Sequence, residues 1–284
     1  MPHFSDLLRT ATPLQIVGTI NAYSALLAKQ AGHRAIYLSG AGVANACFGL
    51  PDLAITTMND VVAEAKKICD RCDLPLLVDI DTGFGGAFNI ARTIKEMESA
   101  GVSAVHIEDQ VSAKRCGHRP NKEMVSQDEM VDRIKSAVDA KNSLYIIART
   151  DALQNETCEQ VEERCEAYLA AGADAIFLEA VTDISLYARF SKKLGKPILA
   201  NITEFGKTPL YPLEQLANQG VAMVLYPLSA FRAMSKAALD IYTTLKEVGT
   251  VESKLGAMQT REELYKTLDY YTYEKKLDNL FKKT

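Results

Sequence analysis

Six consecutive residues, Lys114-Arg115-Cys116-Gly117-His118-Arg119, set one thiol among four side chains able to carry positive charge. A positive field stabilises thiolate, so such a cysteine can accept and return a proton near neutral pH, and the surrounding cations can hold a polycarboxylate. A solvated basic turn with an incidental cysteine competes with this reading, and the hexapeptide alone favours neither.

Upstream, Leu76-Leu77-Val78-Asp79-Ile80-Asp81-Thr82-Gly83-Phe84-Gly85 runs from an apolar strand into a glycine-rich turn. Side chains two apart on a strand share a face, which predicts that Asp79 and Asp81 converge, and a buried carboxylate pair needs a cation. Mg2+ suits hard oxygen ligands and needs only one or two carboxylates, because it keeps several waters. Acids at strand ends also cap helices or bond loop amides. Glu108-Asp109 closes the next apolar run in the same way, which favours the metal.

The elements that must position these groups are legible as β-rich apolar runs: 15–20, 35–40, 74–81, 104–108, 144–150, 175–179, 197–201 and 221–226. Helices between them are announced by the capping boxes Ser126-x-x-Glu129 and Thr157-x-x-Gln160, and by stops at Gly101, Gly172 and Gly220. Strand and helix alternating eight times predict an α/β fold, a (β/α)8 barrel, with chemistry at the C-terminal strand ends. Polar residues recur at those ends: Tyr37 and Ser39-Gly40-Ala41, the two aspartates, Glu108, Arg149-Thr150-Asp151, Glu179, and Asn201-Ile202-Thr203. A strand buried on both faces is otherwise apolar, so this recurrence predicts one convergent site. His106, two before Glu108, is expected to face the barrel interior as a core histidine.

A chain of 284 residues that is 48% hydrophobic can bury one large core, and no linker or low-complexity run divides it, so residues 1–284 are expected to form one domain with a C-terminal helical extension. Leu264, Leu268, Tyr271, Leu277 and Phe281 give that extension roughly helical spacing. A net charge of −4 argues against a nucleic-acid partner. The start lacks a basic and an apolar targeting region and no stretch is long enough to span a bilayer, so a cytoplasmic location without membrane attachment is expected. Six cysteines make no disulfide framework in a chain this long; Cys69-x-x-Cys72 has no second ligand pair and reads as helix-end packing.

The segments Tyr37 to Gly40, Val78 to Gly85, Ile107 to Gln110, Lys114 to Lys122, Ile147 to Ala152, Phe177 to Ala180 and Asn201 to Gly206 together resemble the isocitrate lyase and phosphoenolpyruvate mutase superfamily over nearly the whole chain. Lys-Arg-Cys-Gly-His is similar to its lyase branch, and Arg119-Pro120-Asn121-Lys122 to the form that acts on methylated isocitrate. Ala41 departs from the pattern, where many relatives have glycine; a positive φ there would disfavour alanine.

The resemblance implies a carbon–carbon lyase that splits 2-methylisocitrate into pyruvate and succinate, within the methylcitrate cycle of propionate catabolism. It implies Mg2+, with Mn2+ as the alternative ion, anchored by Asp79 and Asp81 partly through water, with Glu108 in the outer shell. Ser39, Gly40 and Ala41 would bind the pyruvate carboxylate. Arg149, Asn201, Thr203 and the Gly117 amide would stabilise the succinate-derived aci-carboxylate, with Glu179 and His118 also at the substrate. Cys116 would donate the proton, and Tyr37 would handle the hydroxyl proton or else be a barrel-wall tyrosine. Arg232 and Arg261 would hold substrate carboxylates, a solvated first-turn arginine being the alternative for Arg261. Terminal helices exchanging between neighbours would give a homotetramer, a dimer of swapped dimers. Lyases for isocitrate or dimethylmalate and an oxaloacetate decarboxylase are the alternatives; a mutase would leave Cys116 without a task, and a binding protein would need neither Cys116 nor the acidic pair. The loop 112–124, rich in long charged side chains, is expected to be mobile or open without ligand and to close on substrate or products, with Lys114, Arg115 and Arg119 partnered only when a polycarboxylate arrives.

Overall fold

The computed structural model describes residues 4–10, 13–112, 114, 117 and 122–282. Eight parallel strands, β1 (Leu14–Gly18), β2 (Ala35–Leu38), β3 (Leu76–Asp79), β4 (Ala104–Glu108), β5 (Tyr145–Thr150), β6 (Ala175–Leu178), β7 (Ile198–Asn201) and β8 (Met223–Tyr226), pair in chain order. The sheet closes through β1 and β8, with Leu14 opposite Met223. This is the expected (β/α)8 barrel. Each strand is shorter than its apolar run or matches it, because chain entering and leaving the sheet stays largely covered at both ends of the barrel.

Gly101, Gly172 and Gly220 all take positive φ just past a helix, the left-handed backbone that glycine supplies without strain. Thr157 and Gln160 form the expected capping box on Cys158–Ala170. At Ser126 only half of one forms: its hydroxyl accepts from the Glu129 amide, while the Glu129 carboxylate goes to Arg133, 2.7 Å away.

The core has two shells, set by the two-residue period of the strands. Outward residues such as Ile36, Val78, Ile146 and Val224 pack under the helices. Inward residues Ile16, Leu77, Ala104, Ile147, Phe177, Leu199 and Met223 fill the barrel, and the helix Phe4–Thr10 plugs its N-terminal mouth with Phe4 against Tyr145 at 5.3 Å. Continuing the inward alternation up each strand reaches Tyr37, Asp79, His106 and Glu108, Arg149, Glu179 and Asn201. The apolar barrel floor therefore aims these polar side chains at the C-terminal mouth.

The helix Ser229–Val248 departs from this pattern, since none of its residues is buried. Leu239, Tyr242 and Val248 are 59%, 69% and 65% exposed. Beside its start, a cavity of about 270 Å3 is lined by Val17, Leu27, Ala28, Tyr226, Ala230 and Met234. The helices Arg261–Leu268 and Tyr270–Leu280 follow, Thr267 bonding Gln30 on the outside of the barrel.

Candidate active site

Asp79 and Asp81 do converge, by a different route from simple strand alternation. β3 ends at Asp79, and Asp81 lies in the following turn with φ +47°, a left-handed conformation that aspartate tolerates better than most residues. The Asp81 amide donates to Asp79 Oδ1 at 3.0 Å, and the Gly40 amide donates to Asp79 Oδ2 at 3.2 Å. A β-carbon on Gly40 would lie 3.1 Å from Asp81 Oδ1 and 3.2 Å from Asp79 Oδ2, so the two carboxylates meet over a residue that lacks a side chain. Ala41 sits in a short right-handed helical turn, Gly40–Gly42, where alanine fits without strain.

Burial opposes ionisation of both acids. At Asp79 the neighbouring His106, Lys114 and Arg149 outweigh it and bring the group down to about 2. At Asp81 burial and the Asp79 charge outweigh the pull of Lys114 and raise it to about 6. Glu108 is pushed well above the carboxylate range, chiefly by burial, although Arg149 Nε stands 3.3 Å from Oε2.

Lys114 is buried in the site and already has partners there: its Nζ lies 2.8 Å from Asp81 Oδ1 and 2.7 Å from Asp52 Oδ1. The expectation that it waits for a polycarboxylate is corrected, because two acids distant in sequence neutralise it. Gly117 is buried as well, where a β-carbon would come within 2.5 Å of Arg149 Nη2 and 2.6 Å of Glu179 Cγ. These two points of the 112–124 loop lie down on the site rather than open. Cys116 and His118, with Arg115 and Arg119, lie outside the described residues.

A cavity of about 90 Å3 joins the remaining positions, with Ser39, Ala41, Arg149, Glu179, Asn201, Thr203 and Arg232 all contributing to its wall. Arg149 runs over the Phe177 ring at 5.1 Å and is held by Asp151, Nε to Oδ2 at 2.8 Å. Asn201 Nδ2 donates to Glu179 Oε2 at 3.2 Å. Arg261 does not reach this wall; it is exposed in the first turn of Arg261–Leu268 behind the Thr260–Glu263 capping box, the alternative its position had offered.

Tyr37 bonds His106 Nε2 at 2.9 Å. Burial, reinforced by Asp79, raises its phenol well above the ordinary value, so the hydroxyl keeps its proton. Burial also drives His106 down to about 4, against the pull of Asp79. The imidazole is fully buried and neutral between Tyr37 and Phe177, as the core-histidine expectation had it.

Asp52 lines the cavity, and Lys122 and Gln154 bond the Gly117 carbonyl at its edge; the sequence revealed none of the three. Asp52 follows Pro51 in an irregular segment without period, and Lys122 closes a basic loop in which every cation looks alike. The one available signal was Asp151, two residues beyond Arg149.

The donor set fits a hard divalent cation. Asp52, Asp79, Asp81 and Glu108 crowd around the single ammonium of Lys114, and both Glu108 oxygens are buried without a hydrogen-bond partner. Among the described residues no three His, Cys, Asp or Glu side chains close into a metal cage. An ion such as Mg2+ would take only one or two of these carboxylates directly, with water and substrate in the remaining positions.

A closed barrel whose strand ends carry acids, an arginine and amides around one cavity is a (β/α)8 barrel enzyme. Residues 4–246 match the family described as phosphoenolpyruvate phosphomutase, and the chain belongs to the phosphoenolpyruvate mutase and isocitrate lyase superfamily. It is 62% identical to the 2-methylisocitrate lyase of Vibrio cholerae serotype O1, covering 98% of this chain and 93% of that one. Among solved structures, 2,3-dimethylmalate lyase superposes with a TM-score of 0.89 at 33% identity, covering 99% of this chain and 96% of that one. A phosphonopyruvate hydrolase in complex with oxalate and Mg2+ superposes with a TM-score of 0.84 at 25% identity, covering 97% and 96%. The chain is an enzyme, a carbon–carbon lyase.

Proposed function

We propose that this chain cleaves 2-methylisocitrate to pyruvate and succinate with the help of Mg2+, in the methylcitrate cycle. The observation that carries it is the meeting of Asp79 and Asp81 over Gly40, beside a cavity lined by Ser39, Ala41, Arg149, Asn201, Thr203 and Arg232. Asp79 and Asp81 hold the ion, with Glu108 behind them. When bound, Mg2+ supplies the charge that lowers the pKa of the substrate hydroxyl.

The hydroxyl of the pyruvate half passes its proton through the neutral Tyr37 phenol, which hands its own on, to water in the cavity; the oxygen becomes the keto oxygen, and the bond between the two halves breaks. The electron pair passes to the succinate half, delocalised into a carboxylate as an aci-carboxylate. Arg149, Asn201, Thr203 and the Gly117 amide donate to its oxygens. The Cys116 thiol then delivers one proton to carbon, and the neighbouring cations stabilise the thiolate left behind. Ser39 and the amides of Gly40 and Ala41 hold the pyruvate carboxylate, while Arg232, 44% exposed on its side chain, meets a carboxylate from the rim.

The assembly proposed is a homotetramer built from dimers that exchange their C-terminal helices. The unburied Ser229–Val248 helix and the apolar cavity at its start support it, since one copy leaves a helix without a bed and a bed without a helix.

The test is to measure specificity constants for 2-methylisocitrate, isocitrate, 2,3-dimethylmalate and oxaloacetate, with Mg2+ and with chelator. 2-Methylisocitrate is expected to lead and chelator to abolish turnover. One methyl group is worth only about 1–3 kcal/mol, so a lead of roughly ten- to a hundredfold over isocitrate is the scale to expect. A wide lead for isocitrate or oxaloacetate defeats the reading.

A further inference from the structure

Asp151 is fully buried and serves two cations at once. Oδ2 accepts from Arg149 Nε at 2.8 Å, and Oδ1 accepts from Arg149 Nη2 at 3.2 Å and from Lys122 Nζ at 2.5 Å. The Lys122 ammonium, with its side chain 1% exposed, also donates to the Gly117 carbonyl at 2.8 Å. Gln154 Nε2 donates to the same carbonyl at 3.1 Å and is itself held at Oε1 by Lys207, 2.6 Å away. From behind, the Asp151 amide is fixed by Asp109, which also receives Thr150 and Tyr168. One carboxylate thus ties the guanidinium on β5 to the Gly117 peptide.

A buried lysine–aspartate pair is a poor device for stability, because an apolar pair of similar volume serves as well without the desolvation cost. What it does supply is direction. The Gly117 carbonyl receives two donors, which fixes the residue in place, and Gly117 is pressed so closely against Arg149 and Glu179 that no side chain fits.

We propose that Lys122 and Asp151, assisted by Gln154, are positioning residues for the cleavage: they clamp the Gly117 peptide against Arg149, setting the distance between the amide beside the cysteine and the guanidinium that share the developing aci-carboxylate. The catalytic part rests on the lyase reading above; the clamp itself does not.

The test has two readouts on the full-length chain. Lys122→Met keeps the unbranched stem of the side chain and removes its ammonium group and charge. Without any ligand, hydrogen exchange in peptides spanning 114–124 should quicken at least tenfold while exchange in β1–β3 is unchanged. With 2-methylisocitrate and Mg2+, kcat should fall at least thirtyfold and KM change less than threefold. Gln154→Ala leaves the ion pair intact and guards against a misfolded first variant; both effects should recur at about threefold. Unchanged exchange in either folded variant, or a raised KM with kcat preserved, overturns the clamp. Wild-type inactivity on every substrate would instead defeat the lyase reading, and the exchange experiment would still decide the clamp.

Discussion

Lys114 Nζ stands 2.8 Å from Asp81 Oδ1, an ammonium in contact with one of the two carboxylates assigned to the metal. Two cations competing for one acid repel each other by a few kcal/mol at an effective dielectric of about 20. Lys114→Met should therefore bind Mg2+ about tenfold more tightly without substrate, by calorimetric titration, while losing turnover. Asp79→Ala should weaken binding by at least that factor, with excess Mg2+ restoring activity only in part. Equal affinities in all three proteins would place the ion elsewhere.

Cys116→Ser should keep the fold and Mg2+ affinity and lose roughly 100- to 10,000-fold in kcat, the usual worth of a placed general acid. Serine is far too weak an acid to replace it. Single-turnover rates check this, and a variant within tenfold of wild type removes Cys116 from proton delivery.

His106 makes stability depend on pH. Its folded value of about 4 lies below the ordinary 6.5, so between these limits the unfolded chain binds a proton that the native chain refuses. Stability conferred by the neutral ring is complete above about pH 6.5 and is lost as pH falls toward about 4, by roughly 2–3 kcal/mol at pH 4.5. Denaturant unfolding of wild type and His106→Asn at pH 7 and 4.5 should give the variant a correspondingly shallower loss. Parallel losses would mean His106 is not the group that titrates.

Leu239→Asp combined with Tyr242→Asp should break the assembly, because two charges would then sit on a face that partner helices bury. Light scattering after size exclusion is expected to show a tetramer for wild type and a smaller species for the variant. A monomeric wild type would refute helix exchange.

Much of this was legible in the chain. Each β-rich run is continuous because both faces of a barrel strand are covered, so eight runs gave eight strands, and Asp79, Glu108, Arg149, Glu179 and Asn201 fell where the strand ends placed them. What escaped depends on backbone turns and on distance in sequence. Asp81 reaches the pair through a left-handed turn that no alternation rule foresees. Asp52 meets Lys114 across 62 residues, and Lys122 meets Asp151 across 29, pairings that only the closed barrel creates. Arg261 carried a capping-box signal that described its local role, and within one chain it stands exposed and away from the cavity.

The inward alternation of the strands has a consequence for how such an enzyme can diverge. Asp79 stands two residues above Leu77, Arg149 above Ile147, Glu179 above Phe177 and Asn201 above Leu199, so each reactive side chain is mounted on a member of the packed interior. Truncating Phe177 would remove the surface under the Arg149 guanidinium as well as about 3–5 kcal/mol of packing. A strand-borne group can hardly drift to suit a new substrate without loosening the interior beneath it. New specificities are freer to arise at the rim, around Asp52 and from Leu228 to Arg232, where side chains touch the cavity without carrying the barrel.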